Sequence, residues 1–138
     1  IPTSTGSLIV LNVNLQSENK EKPIDREQIL EVYRQAAQGI HSAYLEYSDE
    51  QNVSSDIIGY PRKAAVIEAQ ETHTRTGFVS LDPRRIEGLG PEALNAIGNR
   101  SLEIPVTQAT IFGWYDNELG SYAHLLGDLT IRIARQMV

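Results

Sequence analysis

Residues 106–126 read VTQATIFGWYDNELGSYAHLL, and this stretch decides the fold. Residues 106–112 are rich in β-branched and aromatic side chains and predict a strand. The pentapeptide WYDNE at residues 114–118 predicts a loop, and the helical spacing of the apolar residues after it predicts a long C-terminal helix. The apolar face of that helix is broad enough that it must pack against another surface. This face consists of Leu119, Tyr122, Ala123, Leu126, Leu129, Ile133 and Met137.

The residues before this stretch predict a strand, a helix and then several strands. The segment SLIVLNVNL at residues 7–15 is rich in β-branched residues and partly alternating, which is typical of a strand. Asp25 and Gln28 have the spacing of a capping box, so we expect a helix to begin there and to end at Gly39. Three short runs then predict strands at residues 43–47, 53–58 and 64–69.

Residues 77–103 predict an excursion from the sheet. The preceding strand continues into the polar residues 71–76, after which Asp82-Pro83 has the pattern of a helix start. Pro91–Ile97 lies between two glycines and predicts a short helix. Strands joined by short turns favour an antiparallel or mixed sheet, with helices covering one face. We therefore expect one α+β domain over residues 1–138.

Composition narrows the range of functions. The 138 residues include no cysteine and three widely separated histidines, so we expect neither a thiol nucleophile within the chain nor a metal site. A net charge of -6 argues against binding to nucleic acid or to anionic membranes. The sequence has no apolar run approaching the roughly 20 residues of a membrane span, and we expect a soluble intracellular protein. Because the chain opens at Ile1 rather than at methionine, we expect a fragment.

The WYDNE pentapeptide, followed by Gly120 and an amphipathic last helix, resembles the loop that opens the C-terminal helix in the glyceraldehyde-3-phosphate dehydrogenase family. Three further stretches match this family in the same order along the chain. They are Pro2-Thr3 before the first strand, QAAQG at residues 35–39, and YSDE with VSSD at residues 47–50 and 53–56. The resemblance covers nearly the whole chain outside residues 77–103.

The resemblance implies the C-terminal half of a phosphorylating aldehyde dehydrogenase, which oxidises glyceraldehyde 3-phosphate with phosphate and NAD or NADP. In this family a Rossmann domain binds most of the cofactor, and a substrate domain is built on a largely antiparallel sheet. The family's nucleophilic cysteine, base histidine and phosphate-contacting arginine fall upstream of Ile1. The resemblance therefore implies that no catalytic residue lies in this chain and that the chain alone is inactive. The implied partners are the N-terminal Rossmann domain, further copies in a cytoplasmic dimer or tetramer, and a small phosphorylated aldehyde.

Two residues are candidates for cofactor binding. Asn117 matches the asparagine that hydrogen-bonds the nicotinamide carboxamide in this family, and its amide offers a donor and an acceptor, as the carboxamide does. Tyr122 matches a tyrosine that packs near the same ring, although Ser121 adds one residue to the family's spacing. Val10 also departs from the pattern, since the family usually has aspartate there.

Other polar residues have simpler explanations. His73 is expected on a solvated or subunit-facing strand, and His124 on a helix surface or interface. Asp56 and Glu68 form no pair that spacing alone fixes, and Arg84-Arg85 is a small cluster for an anion site. The alternatives to the main hypothesis are a non-catalytic binding or oligomerisation module on the same fold, or an enzyme resembling erythrose-4-phosphate dehydrogenase.

Overall fold

The computed structural model describes residues 6–19, 21–58, 62–98, 100–117 and 120–137. Within these ranges the chain forms four strands, four α-helices and one 3-10 turn at Pro83–Arg85. The strands are β1 (Gly6–Leu15), β2 (Leu45–Ser48), β3 (Ala65–Leu81) and β4 (Leu102–Asp116). The helices are α1 (Arg26–Gln38), α2 (Ser54–Ile57), α3 (Pro91–Ile97) and α4 (Ser121–Gln136).

The sheet is mixed, with the strand order β1-β4-β3-β2. Strand β4 lies between β1 and β3 and pairs with both in antiparallel fashion, whereas the short β2 pairs with β3 in parallel. The two long antiparallel pairs dominate the sheet, and β2 is reached through α1. The predicted α+β class with a mixed sheet and a long C-terminal helix is confirmed.

Helix α1 packs on one face of the sheet and closes the core. The core cluster joins Ile29 of α1 to Ile67 of β3 and to Ala109 and Ile111 of β4. The helix begins where the sequence predicted, because the Asp25 carboxylate accepts from the Gln28 backbone at 2.8 Å while the Gln28 side chain accepts from the Asp25 backbone at 3.0 Å. These two reciprocal hydrogen bonds satisfy donors that the first helical turn leaves without partners.

The strand predicted at residues 53–58 is wrong, because α2 occupies Ser54–Ile57. The Asp56 carboxylate accepts a hydrogen bond from the Val53 backbone at 2.9 Å, which closes a helical turn around this polar segment. Ile57 is the apolar anchor of the turn and is only 1% exposed. Local side chain–backbone bonds of this kind compete with strand pairing. The strand predicted at residues 43–47 does form, shifted to Leu45–Ser48.

Strand β4 is longer than predicted at both ends. Trp114, Tyr115 and Asp116, expected in a loop, belong to the strand because β1 pairs with them. In this register Leu8 lies opposite Trp114, and Ser7 lies opposite Tyr115. The pairing brings the first described residues of the chain beside the segment that leads into α4.

Strands β3 and β4 continue beyond the rest of the sheet as a two-stranded arm, which we define as residues 77–106. Strand β1 ends its pairing at Thr107, and β2 pairs only as far as Glu68. The arm carries the 3-10 turn and α3, both at their predicted places, and α3 ends at Gly98 with a positive φ that favours glycine. Since β3 runs to Leu81 and β4 begins at Leu102, residues 82–101 are the part that leaves the sheet.

A β-bulge divides β3 between Glu68 and His73. Arg26, the first residue of α1, holds this bulge through its guanidinium. Its Nε donates to the carbonyl of Thr72 at 2.7 Å, and its Nη2 donates to the carbonyl of Ala69 at 2.8 Å. Thr72 is buried and donates its hydroxyl to the carbonyl of Glu68 at 2.9 Å. Ala69 and Thr72 lie in the stretch without Cα partners in the β3–β4 register, and Arg26 provides donors to both of their carbonyls.

Arg26→Ala should lower the free energy of unfolding by about 2 kcal/mol, because two bulge carbonyls lose charged donors. Urea denaturation followed by circular dichroism measures the change. Arg84→Ala is the matched control, since Arg84 is exposed and bonds only to nearby Asp82 among the described residues, so little change is expected. An equal loss of stability in both variants would show that the hydrogen bonds from Arg26 to the bulge carbonyls make no specific contribution to stability.

Candidate cofactor site

The candidate site lies at the corner where β4 ends and α4 begins. Asn117 follows directly after β4 and is exposed. Its Oδ1 accepts a hydrogen bond of 3.0 Å from the hydroxyl of Ser7, which lies 110 residues earlier in the chain. Ser7 itself is only 7% exposed. The amide of Asn117 is therefore anchored on the sheet while the residue remains open to a ligand.

Tyr122 reaches the same corner from the first turn of α4. Its ring lies edge-on against the ring of Tyr115, with centroids 5.7 Å apart and an interplanar angle of 84°. Such edge-to-face pairs are a favoured aromatic geometry. Tyr122 keeps 52% of its surface exposed, so one side of the ring remains open for packing. The structure thus brings Asn117 and Tyr122 to one end of β4, the first through Ser7 and the second through Tyr115.

The start of α4 is fixed to the end of β4. Ser121 is fully buried, and its hydroxyl donates to the carbonyl of Asp116 at 3.4 Å. Asp116, interpreted from the sequence as an acid at the helix start, is instead the last residue of the strand and is 3% exposed. Glu118, predicted in the loop, and Leu119, predicted on the helix face, lie outside the described residues. The same holds for Pro2 and Thr3.

The rest of α4 is largely uncovered within the described part of the chain. Several apolar side chains in and just after α4 remain half exposed or more, although their spacing predicts a buried face. They include Leu126, Leu129, Ile133 and Met137, with exposures of 65%, 53%, 50% and 82%. The packing surface that the sequence predicts for this stripe is mostly absent among the described residues.

The histidines do not assemble into a second site in the described residues. The His73 ring lies 6.1 Å from that of Phe112, and its Nδ1 is 2.8 Å from the carbonyl oxygen of Glu71. No group of three or more His, Cys, Asp or Glu side chains that could hold a metal occurs within the described ranges. Likewise, among the helices that are described, none is long and apolar enough to cross a membrane.

The two carboxylates that the sequence left open, Asp56 and Glu68, serve neighbouring backbone groups. Glu68 is 2% exposed, and its Oε2 accepts from the backbone and the side chain of Asn52 at 3.1 and 2.9 Å. Asp56 caps α2 through the Val53 backbone. Both carboxylates therefore organise the turn between β2 and α2 rather than forming an acid–base pair.

Arg84 of the arm forms a local ion pair. Arg84 Nε bonds to Asp82 Oδ1 at 2.9 Å. The hydrogen bond from the Arg84 side chain holds the pKa of the Asp82 carboxyl below its ordinary value. Because Asp82 already neutralises Arg84, this cluster does not make a strong anion site.

Comparison with known proteins agrees with the resemblance. The profile of the family described as "Glyceraldehyde 3-phosphate dehydrogenase, C-terminal domain" matches residues 1–81. A glyceraldehyde-3-phosphate dehydrogenase of Kitasatospora aureofaciens is 27% identical over 135 residues, and glyceraldehyde-3-phosphate dehydrogenase 2 of Streptomyces avermitilis is 28% identical over 137. These alignments cover 98% and 99% of the chain but 30% of each relative, so the chain spans about 30% of the length of the curated relatives it matches.

The mixed sheet, its helices and the family match together define the class as an α+β domain of the kind found at the C-terminus of glyceraldehyde 3-phosphate dehydrogenases. The chain belongs to the glyceraldehyde 3-phosphate dehydrogenase C-terminal domain family. The profile match ends at Leu81, where β3 ends, whereas the alignment of 137 residues with the Streptomyces avermitilis relative takes in nearly the whole chain. Strand β4, the corner and most of the arm thus lie beyond the matched profile and within that longer alignment.

Sequence reasoning missed Ser7. A serine at the start of a strand has no distinctive signal, and its importance depends on which residue lies opposite. That residue is set by the pairing of β1 with β4, which are the first and last strands of the described chain. Ser7 and Asn117 are 110 residues apart. Only a correct prediction of the β1–β4 register would have found this contact.

Ser121→Leu should destabilise the domain by about 2 kcal/mol and loosen the first turn of α4, because a larger side chain does not fit a fully buried site. Hydrogen exchange of the α4 amides, measured by NMR, reports the loosening directly. Ala123→Leu adds the same side chain two residues later at an exposed position and should change little. Unchanged exchange in Ser121→Leu would contradict the anchoring of α4 by Ser121.

Proposed function

We propose that this chain is the C-terminal half of a phosphorylating aldehyde dehydrogenase that oxidises glyceraldehyde 3-phosphate with phosphate and NAD or NADP. The family match together with the anchored, exposed amide of Asn117 is the observation that carries the proposal. The relatives that align with nearly the whole chain bear the name of this enzyme and are more than three times its length. We place the complete protein in the cytoplasm.

Asn117 is proposed to bind the carboxamide of the nicotinamide ring. Its amide carries one oxygen that accepts and one nitrogen that donates, and a carboxamide carries the same two groups. The pair can therefore form two complementary hydrogen bonds, which would fix the rotation of the ring. In such an enzyme the cofactor supplies the chemistry of accepting hydride, and the protein supplies position.

Tyr122 is proposed to pack near the same ring. Its contact with Tyr115 fixes one edge of the side chain while half of its surface remains exposed. An aromatic side chain held in this way offers apolar area to a flat ring at little cost in conformational entropy. The two candidates would thus act in different ways, Asn117 through hydrogen bonds and Tyr122 through packing.

The covalent chemistry is proposed to belong to chain upstream of Ile1. The sequence contains no cysteine, so these residues cannot supply a thiolate nucleophile. By the family resemblance, the nucleophile, the base histidine and a phosphate-binding arginine all precede this chain. Its own contribution would be the sheet scaffold, the carboxamide contact and surfaces for assembly.

Two apolar surfaces support the proposal that another part of the same polypeptide packs against this domain. The first is the exposed stripe of α4, and the second is a groove beside α1 with a volume of about 420 Å³. The groove is lined mainly by Leu11, Val13, Leu15, Ile24, Ile29 and Ile111. Exposed apolar patches usually mark contact surfaces. We propose that the N-terminal Rossmann domain and its connecting chain cover part of this area.

The sheet also supports self-association. Strand β1 is an edge strand, and Ile9, Val10 and Leu11 in its middle are 47%, 41% and 43% exposed. Because consecutive residues of a strand point to opposite faces, β1 offers apolar surface on both sides of the sheet. We propose a homodimer or homotetramer of the full-length protein.

The 138-residue chain alone should produce no reduced cofactor when it is mixed with glyceraldehyde 3-phosphate, phosphate and NAD or NADP. The full-length protein, assayed under the same conditions by absorbance of the reduced cofactor, is the positive control. Turnover by the chain alone would overturn the assignment of the catalytic groups to the upstream part. An inactive full-length protein that retains its upstream cysteine would count against the enzyme and favour a binding module.

Asn117→Ala in the full-length protein should raise the KM for the cofactor roughly tenfold, because the carboxamide loses its hydrogen-bond partner. The KM for the aldehyde should change much less. Asn95→Ala is the matched control, since Asn95 is an exposed asparagine on α3 of the arm. A cofactor KM that does not differ between the two variants would remove Asn117 from the cofactor site.

A further inference from the structure

The hydrogen bond between Ser7 and Asn117 joins two residues that lie 110 positions apart in the sequence. The Ser7 hydroxyl donates to Asn117 Oδ1 at 3.0 Å. Ser7 lies directly opposite Tyr115 in the β1–β4 ladder, and Asn117 is the second residue after Tyr115. On a pleated strand such a diagonal neighbour is within reach across the same face. The contact is therefore a consequence of the sheet register.

An asparagine amide has two orientations of nearly the same shape, related by exchange of oxygen and nitrogen. A ligand carboxamide distinguishes them, because one orientation sets donor against acceptor and the other sets donor against donor. A side chain without a fixed neighbour would also exchange among the three χ1 rotamers, would spend most of its time in conformers that cannot pair, and would bind more weakly in proportion. An exposed amide used for recognition therefore benefits from a fixed neighbour.

We infer that Ser7 is a positioning residue, whose hydroxyl donates to Asn117 Oδ1 and so holds the side chain in the conformer that can pair with a carboxamide. The inference rests on the proposed function of Asn117 and adds a residue to it. Ser7 is suited to this task because it is buried on an edge strand that is itself fixed by a long ladder to β4. It acts on the ligand only through Asn117.

The first test concerns the amide itself and needs no cofactor. In the 138-residue chain, the two side-chain NH resonances of Asn117 should be well separated and sharp in the wild type. They should move towards the values of a free amide in Ser7→Ala and return towards the wild type in Ser7→Thr, which restores the hydroxyl. Resonances that do not respond to Ser7→Ala would overturn the inference.

The second test is a double-mutant cycle in the full-length protein, with cofactor affinity measured by calorimetry. Ser7→Ala should weaken NAD or NADP binding roughly five- to tenfold in the wild-type background. It should have almost no further effect in an Asn117→Ala background, because the group through which it acts is gone. Ser80→Ala, at an exposed serine of the arm, serves as the control.

The outcomes separate this inference from the proposed function. A Ser7→Ala effect of equal size in both backgrounds would show a merely structural role and would overturn the positioning inference alone. Unchanged affinity in Asn117→Ala would overturn the proposed cofactor contact, and with it the purpose of the Ser7 bond. Loss of the Ser7→Ala effect in the Asn117→Ala background, together with rescue by threonine, supports both.

Discussion

The antiparallel pairing of β1 with β4 is the constraint on which the rest of the domain depends. It runs from Gly6 opposite Asp116 to Leu15 opposite Thr107. Because side chains alternate between the two faces, this register decides that Ala109 and Ile111 face α1 and become core. A slip by one residue would turn both away from the helix. The same register carries Ser7 to Asn117, so the core and the candidate site are fixed by one set of backbone hydrogen bonds.

Strand β3 has a different role on each side of its bulge. Before the bulge it is an inner strand that pairs with both β2 and β4, and after it β3 pairs with β4 and continues into the arm. Arg26 links this bulge to the beginning of α1, because its guanidinium bonds to the two bulge carbonyls of Ala69 and Thr72. The helix that closes the core thus also stabilises the bulge in β3.

The sequence predicted the features whose causes are local. The capping box of Asp25 and Gln28, the proline-first and glycine-last signature of α3 and the periodicity of the last helix all act within a few residues, and all three elements form. The predictions that failed depend on competition or on distant partners. Residues 54–57 form a helix because Asp56 bonds to the local backbone, and Tyr115 extends a strand because a residue more than a hundred positions away pairs with it.

The candidate site could be predicted only in part, for the same reason. Family resemblance identifies Asn117 and Tyr122 as candidates by the WYDNE motif and the helix that follows it, without any knowledge of the sheet. Their supports, Ser7 and Tyr115, come from the three-dimensional arrangement: one is reached through the ladder and the other through the turn into α4. A motif indicates a candidate binding residue, whereas its neighbours in space, such as Ser7, are found only after the strands are paired.

A recognition group on a domain surface must satisfy two opposing requirements: it must be exposed to reach its ligand, and it must be fixed to bind it well. Burial would fix an amide but would hide it, and an unsupported loop would expose it but leave it free to rotate. The bond from a buried hydroxyl to an exposed amide satisfies both requirements, since the rigidity comes from the sheet and the exposure from the chain end of β4. The apolar stripe of α4 is the reverse case, because its area is stabilising only once another surface removes it from water. The corner between β4 and α4 therefore combines an exposed amide bonded to a buried hydroxyl with an apolar helix stripe that the described residues leave largely uncovered, which is the arrangement that the proposed meeting of two domains around a shared ligand would require.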